Sequence, residues 1–282
     1  MYSGTTLHNY SGHILGAHQK LDRAARKALV NLGVRKNFPT IKQILYFEGK
    51  NGPDGVKSKG PARDEPWHFF NPLDPDDSKL ILHIEDHYKN LVKQLKNQNM
   101  ERSAFEAAWL AHAITDGLTP AHHFPYEDHL TKLRGGESHE TRDTVKKKIV
   151  MPGETKKEML KNNWKMWGAK GLFTTHGLFE LGIAMIIAPL TLKDGFPNRE
   201  DVLRAKKDGL REVFIRSAKE IAKLNMYDRF YKRGWTPKLA REVRKDLAPL
   251  IVKVVALAWL MAMIEAGMLN KIPGPSNANN KR

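Results

Sequence analysis

The chain has 282 residues, of which 41% are hydrophobic, so it can bury a core without disulfide bonds. It contains no cysteine, which excludes thiol catalysis and thiolate metal sites, so any metal ion must be held by His, Asp and Glu. Its 47 basic residues exceed its 31 acidic ones by 16. This excess favours an anionic partner, such as nucleic acid, an acidic lipid surface or a phosphate-bearing substrate, although solvated lysine-rich helix faces explain it equally well.

The first predicted element is a helix over residues 13–33, in which His18 and Asp22 are four residues apart within an apolar stripe. Polar groups on such a face are costly unless they are compensated. A lone histidine there is usually a hydrogen-bonded core residue, so the pair indicates a metal site only if the same His-x-x-x-acid pattern recurs in the sequence. His13 lies on a different face and is the weaker candidate.

A short helix is predicted over residues 40–48, followed by a loop over 49–64 that is rich in Gly, Pro and Lys. Inside the loop, Pro53-Asp54-Gly55 predicts a turn that presents a carboxylate, and turn chemistry alone also accounts for such an aspartate. His68 follows among aromatic residues between two prolines. Its ring is expected to have one fixed orientation, as a metal ligand needs.

The central stretch follows a predicted helix over 76–99, whose His83 and His87 have ordinary polar surroundings. A helix over 101–117 places His112 and Asp116, four residues apart, on the same face at the end of an apolar stripe. Gly117 and Pro120 are expected to stop this helix, and the turn then returns a second histidine, His122, to its end. Two imidazoles and a carboxylate that converge in a buried place favour a divalent cation between them.

Residues 124–172 are predicted to form a polar, basic insertion with about two short helices. Its His139 and Asp143 are also four residues apart, but lysines follow them instead of an apolar stripe, which indicates a surface pair.

The His-x-x-x-acid pattern recurs at His176 and Glu180, on a helix that Thr175 is expected to cap and Pro189 is expected to end. Amphipathic or apolar helical segments follow over 198–225 and 237–269. The apolar runs Leu181–Leu192 and Val254–Ile264 are too short to span a bilayer, so no transmembrane segment is predicted. Both runs are predicted to be buried helices. The pattern contains no convincing strand or repeat, so the prediction is a single all-α domain over 1–282 with a disordered tail at about 273–282.

These residues, in this order, resemble the ligand set of the zinc-dependent phospholipase C / S1-P1 nuclease superfamily, an all-α fold that holds three zinc ions in a cleft. The resemblance spans roughly residues 13–269 and rests on Asp54, His68, His112-x-x-x-Asp116-x-x-x-Pro120-x-His122 and His176-x-x-Phe179-Glu180.

The resemblance implies one zinc ion held by Asp54, His68, His112 and Asp116. It implies a second held by His122, His176 and Glu180.

For a third zinc ion, bridged by Asp116, the resemblance offers His18 as the histidine. The family completes that site with the amine and carbonyl of an N-terminal Trp, whereas this chain begins Met1-Tyr2. Asp22 could supply the missing oxygen ligand, and His13 and His8 are weaker choices.

The implied chemistry is hydrolysis of a phosphodiester by in-line attack of a zinc-bound hydroxide on phosphorus, with Asp54 orienting the nucleophile or acting as base. Nitrogen and oxygen ligands suit zinc, and manganese or iron fit the same ligand types. The short Asp54–His68 segment favours a phospholipid substrate, whereas the net charge of +16 fits single-stranded nucleic acid in a P1-like nuclease at least as well. A catalytically silent, metal-stabilised binding protein is a further alternative.

The first residues lack the basic and apolar pattern of a signal peptide, so the cytoplasm is the default expectation. A leader removed before the first residue would instead make the protein secreted.

Overall fold

The computed structural model describes residues 1–3 and 16–269. Every regular element in this part of the chain is helical, so the predicted all-α class is confirmed. The predicted disordered tail, His8 and His13 lie outside the described residues. The α-helices, numbered in chain order, are α1 Ala17–Asn31, α2 Ile41–Tyr46, α3 Pro53–Lys59, α4 Lys79–Lys96, α5 Met100–Gly117, α6 Tyr126–Leu133, α7 Val145–Ile149, α8 Lys156–Trp167, α9 Leu172–Ile187, α10 Arg199–Asp208, α11 Leu210–Lys223, α12 Met226–Arg233, α13 Pro237–Glu242 and α14 Ala248–Glu265.

Helix α14 is the centre of the main core and packs against α1, α4, α5, α10 and α11. It is apolar on all sides, and such a helix is stable only when it is surrounded. Its Trp259 is fully buried and donates its indole hydrogen to the carbonyl of Ala107 in α5, at 3.0 Å. The helical stretch Pro237–Glu265 is long and apolar enough to cross a membrane by length and composition alone, and 83% of its apolar window is buried inside the protein. The prediction of a buried helix over this run is confirmed.

Helices α4 and α5 form a tightly packed pair that positions the central stretch of the chain. Asn99 begins α5 by accepting a hydrogen bond from the Arg102 amide, at 3.0 Å. The C-terminal half of α5 is buried almost completely, including His112, Thr115 and Asp116. The fold therefore places two ionisable groups where charge is costly.

The segment 124–172 contains three α-helices rather than two, and it has a small core of its own. It is attached to the segment that follows α3, because the ammonium of Lys148 contacts the carboxylate of Glu65 at 2.6 Å and the carbonyl of Gly60 at 2.7 Å. Arg142, also buried, donates to the carboxylate of Glu127 at 2.8 Å. This insertion is thus a packed part of the protein.

Two local predictions are wrong. The segment 49–64 is largely helical, because Pro53 has a backbone angle suited to the first turn of a helix and starts α3. Thr175 does not cap α9, which begins one turn earlier after Gly171. The segment 198–225 is helical, as predicted, and it consists of two helices, because Gly209 adopts a φ of +81° that ends the first of them.

Gly117, at the end of α5, provides a test of the packing. A Cβ atom at this position would lie 2.5 Å from Phe214 Cζ and 2.8 Å from Leu80 Cδ2, and both of these side chains are fully buried. We expect Gly117→Ala to lower the free energy of unfolding by about 1–3 kcal/mol because the core has no room for the methyl group.

The matched control is Gly177→Ala in α9, where the added methyl group would meet no atom within 4 Å. This variant should be neutral or more stable by up to about 1 kcal/mol, since alanine favours helix over glycine. Urea denaturation of both variants measures the difference, and equal stabilities would contradict the packing described here.

Candidate metal centre

The carboxylate of Asp116 is the point where the predicted site residues meet. It is 1% exposed, and both of its oxygen atoms face histidines. Oδ2 lies 2.7 Å from His68 Nδ1 and 3.2 Å from His112 Nε2. Oδ1 lies 3.3 Å from His18 Nε2 and 3.6 Å from His122 Nε2. Four histidines from four separate parts of the sequence therefore surround one buried anion.

A first ligand group consists of Asp54, His68 and His112, whose ligand atoms all lie within 4.8 Å of one another. Asp54 is in the first turn of α3 and is 24% exposed, which makes it the most accessible member. The Nε2 atoms of both histidines are buried without a hydrogen-bond partner within the described structure. Buried nitrogen atoms in this state fit coordination to a metal ion.

A second ligand group consists of His122, His176 and Glu180, with the same close spacing. Glu180 Oε1 lies 2.8 Å from His122 Nε2 and 2.9 Å from His176 Nε2. His122 donates its Nδ1 hydrogen to the backbone carbonyl of His68 at 2.8 Å. This bond sets the tautomer, so the lone pair of Nε2 points into the group, which is the usual way in which a metal-ligating histidine is oriented.

A third group consists of His18, Glu48 and His112. Its new member is Glu48, which is 1% exposed and lies with Oε1 2.9 Å from His112 Nδ1. The His18 ring stacks on that of His112 with 4.0 Å between centroids. Glu48 follows a short helix without a histidine near it in sequence, so no spacing signal marks it. Asp22, the predicted extra ligand, is buried but belongs to none of the three groups.

The N-terminal amine of Met1 also lies in this centre. It contacts Asp116 Oδ1 and lies 3.3 Å from both Glu180 Oε1 and His122 Nε2. Burial opposes its charge, but Asp116 and Glu180 outweigh burial and raise its pKa to about 10. The amine of a residue other than Trp thus contacts the carboxylate that the resemblance assigns to the third ion.

The protonation states of Asp54, Asp116 and His122 suit metal binding. Burial alone would raise the pKa of Asp54, but His112 and His68 lower it to about 2, and His122 and the N-terminal amine likewise hold the pKa of Asp116 well below its usual range. Burial lowers the pKa of His122 to about 4. Carboxylates are therefore ionised and His122 neutral at pH 7, as ligands must be.

His112 behaves differently from His122. Burial opposes its charge, but Glu48 and Asp116 raise its pKa well above the ordinary value. A metal ion that binds His112 Nε2 must displace this proton.

A groove with a volume of about 820 Å³ adjoins the second ligand group. Its walls include His123 and Thr175, the chain neighbours of two ligands, and Tyr227, whose ring centroid lies 6.3 Å from that of His176. The lining is mainly apolar and includes Phe124, Leu133, Leu172 and Met226. Three lysines, Lys132, Lys165 and Lys170, border it.

Comparison of the chain with protein-family models, curated proteins and solved structures finds no match. The fold brings Asp54, His68 and His112 into one group and His122, His176 and Glu180 into another, and each group could hold a metal ion. The remaining predicted ligand, Asp116, contacts histidines of both groups.

The low pKa of His122 predicts how the metal-free protein responds to acid. An unfolded histidine binds a proton below about pH 6.5, whereas folded His122 does so only below about pH 4. The unfolded state thus binds more protons in this window, and stability should fall as the pH is lowered from 6.5 to 4, with this residue contributing on the order of 3 kcal/mol.

The measurement is the free energy of unfolding at several pH values in the presence of a chelator. His122→Gln should reduce the slope between pH 6.5 and 4, and replacement of the exposed His129 by Gln is the control. Identical slopes for His122→Gln and the parent protein would contradict the assignment.

Glu48 predicts an effect on affinity because it fixes the ring of His112. We expect Glu48→Gln to weaken zinc binding by about 10- to 100-fold, as the loss of an outer carboxylate commonly does. The matched control is Glu106→Gln, because Glu106 makes a similar buried contact with His87 Nδ1, at 2.7 Å, outside the three groups. Equal zinc affinities for the two variants, measured by calorimetry, would contradict a role for Glu48.

Proposed function

We propose that this protein is a metal-dependent phosphodiesterase of the phospholipase C type and a distant member of the zinc-dependent phospholipase C / P1 nuclease superfamily. The observation that carries the proposal is the position of Asp116, whose two carboxylate oxygens face the first and second ligand groups. A carboxylate shared in this way suits a site for neighbouring cations. Sites with several divalent ions commonly cleave phosphate esters.

The ligand chemistry favours zinc. Each of the two principal groups combines two histidines with one carboxylate, and imidazole and carboxylate ligands suit zinc in catalytic sites that keep an open position. When bound, such ions supply an activated water near neutral pH and neutralise charge on a phosphoryl group.

The side chain of Asp54 is suited to orienting the attacking water. It is the ligand most exposed to solvent, and its pKa of about 2 makes it a weak base at neutral pH. We therefore infer that Asp54 accepts a hydrogen bond from the attacking water and so directs the water oxygen at phosphorus. Removal of the water proton is not assigned to Asp54. The attack breaks the bond between phosphorus and the glycerol oxygen. That oxygen takes up a proton from solvent water, so a diacylglycerol and a phosphorylated headgroup are released.

The groove supports a lipid as the substrate. Phe124, Leu133, Leu172 and Met226 give it an apolar lining beside the second ligand group. Apolar walls favour acyl chains, and bordering lysines favour a neighbouring phosphate.

A single-stranded nucleic acid is the alternative substrate, and the net charge of +16 favours it. The test measures hydrolysis of phosphatidylcholine in mixed micelles and of single-stranded DNA in parallel, with zinc-loaded protein. We expect phosphate-containing headgroup to be released from the lipid. Turnover of DNA without turnover of lipid would favour the nuclease, and turnover of neither would favour a non-catalytic metal-binding protein.

His112→Ala should reduce lipid hydrolysis at least about 1,000-fold, because it removes a ligand of the centre and leaves the carboxylate of Glu48 without its imidazole partner. The matched control is His87→Ala, which removes a part-buried histidine that contacts the carboxylate of Glu106 and belongs to none of the three ligand groups. Retention of full activity by His112→Ala would contradict the proposed centre.

A further inference from the structure

Helix α8 exposes an unusually apolar surface. Of its twelve residues only Met166 is buried. Leu160 is 67% exposed and Trp164 is 73% exposed, and Trp167 continues their stripe. Residues 160, 164 and 167 are spaced by four and three positions, so they share one face of the helix.

This stripe continues onto the neighbouring helices. The Trp167 ring lies 4.7 Å from that of Phe173 at the start of α9, and its indole donates to the carbonyl of Ile149 in α7 at 2.8 Å. Phe173 and Ile149 are themselves exposed. We call the surface formed by Ile149, Leu160, Trp164, Trp167 and Phe173 the aromatic face. Contiguous exposed apolar surfaces of this kind commonly mark an interaction site.

The aromatic face lies on a basic helix. Helix α8 contains Lys156, Lys157, Lys161 and Lys165 but a single acidic residue, Glu158. No ion pair within the described residues neutralises these four lysines. Their charge is therefore available to an anionic partner.

We propose that the aromatic face docks on an anionic phospholipid bilayer. A helix with Trp and Leu on one side and lysines around them has the composition of a helix that lies in the membrane interface. Tryptophan favours the headgroup level, and lysines near an anionic leaflet bind it electrostatically.

The same observations favour a bilayer over nucleic acid. Ile149 and Leu160 cannot stack on bases, whereas they can enter the acyl region. The cations of α8 are all lysines, without the arginines that bind phosphate groups in two-point contacts. The experiment below distinguishes bilayer binding by this face from nucleic-acid binding.

Docking would place the candidate metal centre near the bilayer. The hydroxyl of Thr174 donates to the carbonyl of Trp167 at 2.9 Å, which joins the end of α8 to the helix that carries His176 and Glu180. Lys165 and Lys170 also border the groove. The docking surface goes beyond the proposed phosphodiesterase activity and does not depend on it, since binding is measured without turnover.

The experiment uses the full chain and sedimentation with vesicles, either of phosphatidylcholine alone or of equal parts phosphatidylcholine and phosphatidylglycerol. Tryptophan emission is measured in parallel. We expect binding to the anionic vesicles with a blue-shifted emission, and weak binding to the neutral ones. Equal binding to both, or to neither, would overturn the proposal.

Leu160→Ser combined with Trp164→Ser should weaken binding to the anionic vesicles by at least about tenfold, because the two side chains no longer enter the bilayer. Lys157→Gln combined with Lys161→Gln should weaken it by about fivefold for each lysine. The matched control is Tyr46→Ser, which removes another aromatic side chain that is 64% exposed, far along the chain in α2.

All substituted residues are exposed, so thermal melts should match the parent protein. Folded variants that bind vesicles as tightly as the parent would overturn the proposal. Loss of single-stranded DNA binding with unchanged vesicle binding would overturn it in favour of a nucleic-acid surface.

Discussion

The buried carboxylate of Asp116 is the constraint around which the rest of the structure is arranged. An ionised group in a protein interior loses several kcal/mol of hydration, so it persists only where opposite charges and hydrogen-bond donors surround it. Helix α5 holds this carboxylate beneath the core helix α14, and four histidines and the N-terminal amine approach it. The fold therefore stabilises a concentration of charge that contributes little to packing, which is typical of a site that serves chemistry.

The outer contacts of the histidines decide which nitrogen atoms face the centre. Glu48 occupies Nδ1 of His112, and the backbone carbonyl of His68 occupies Nδ1 of His122, so in both cases Nε2 points inward. The segment after α3 is held in turn by the insertion, through the contacts of Lys148. Lys148 thus helps to position His68, because a shift of the segment that contains Gly60 and Glu65 would move the His68 ring.

Sequence could predict those parts of the centre that depend on helical spacing. His112 and Asp116, like His176 and Glu180, are four residues apart, and a helix alone brings such pairs to one face. Glu48 could not be predicted in this way, because its partner His112 is 64 residues away and only the packing of α2 against α5 joins them. Helix α3 could not be predicted for a different reason, since the glycines and prolines of this stretch indicate a loop, whereas Pro53 at the first turn favours the start of a helix.

The charges of the centre also determine what it can bind. Asp54, Asp116 and Glu180 are ionised at neutral pH, and together they repel an anionic phosphodiester despite the basic surface of the protein. Cations held among them reverse this repulsion, because they neutralise the carboxylates and present positive charge to the phosphate. The lysines on the outside attract anions from a distance, whereas metal cations inside would add to the positive charge of His112 and the N-terminal amine beside the carboxylates. For the proposed phosphodiesterase, we therefore expect metal ions to be needed for substrate binding as well as for hydrolysis.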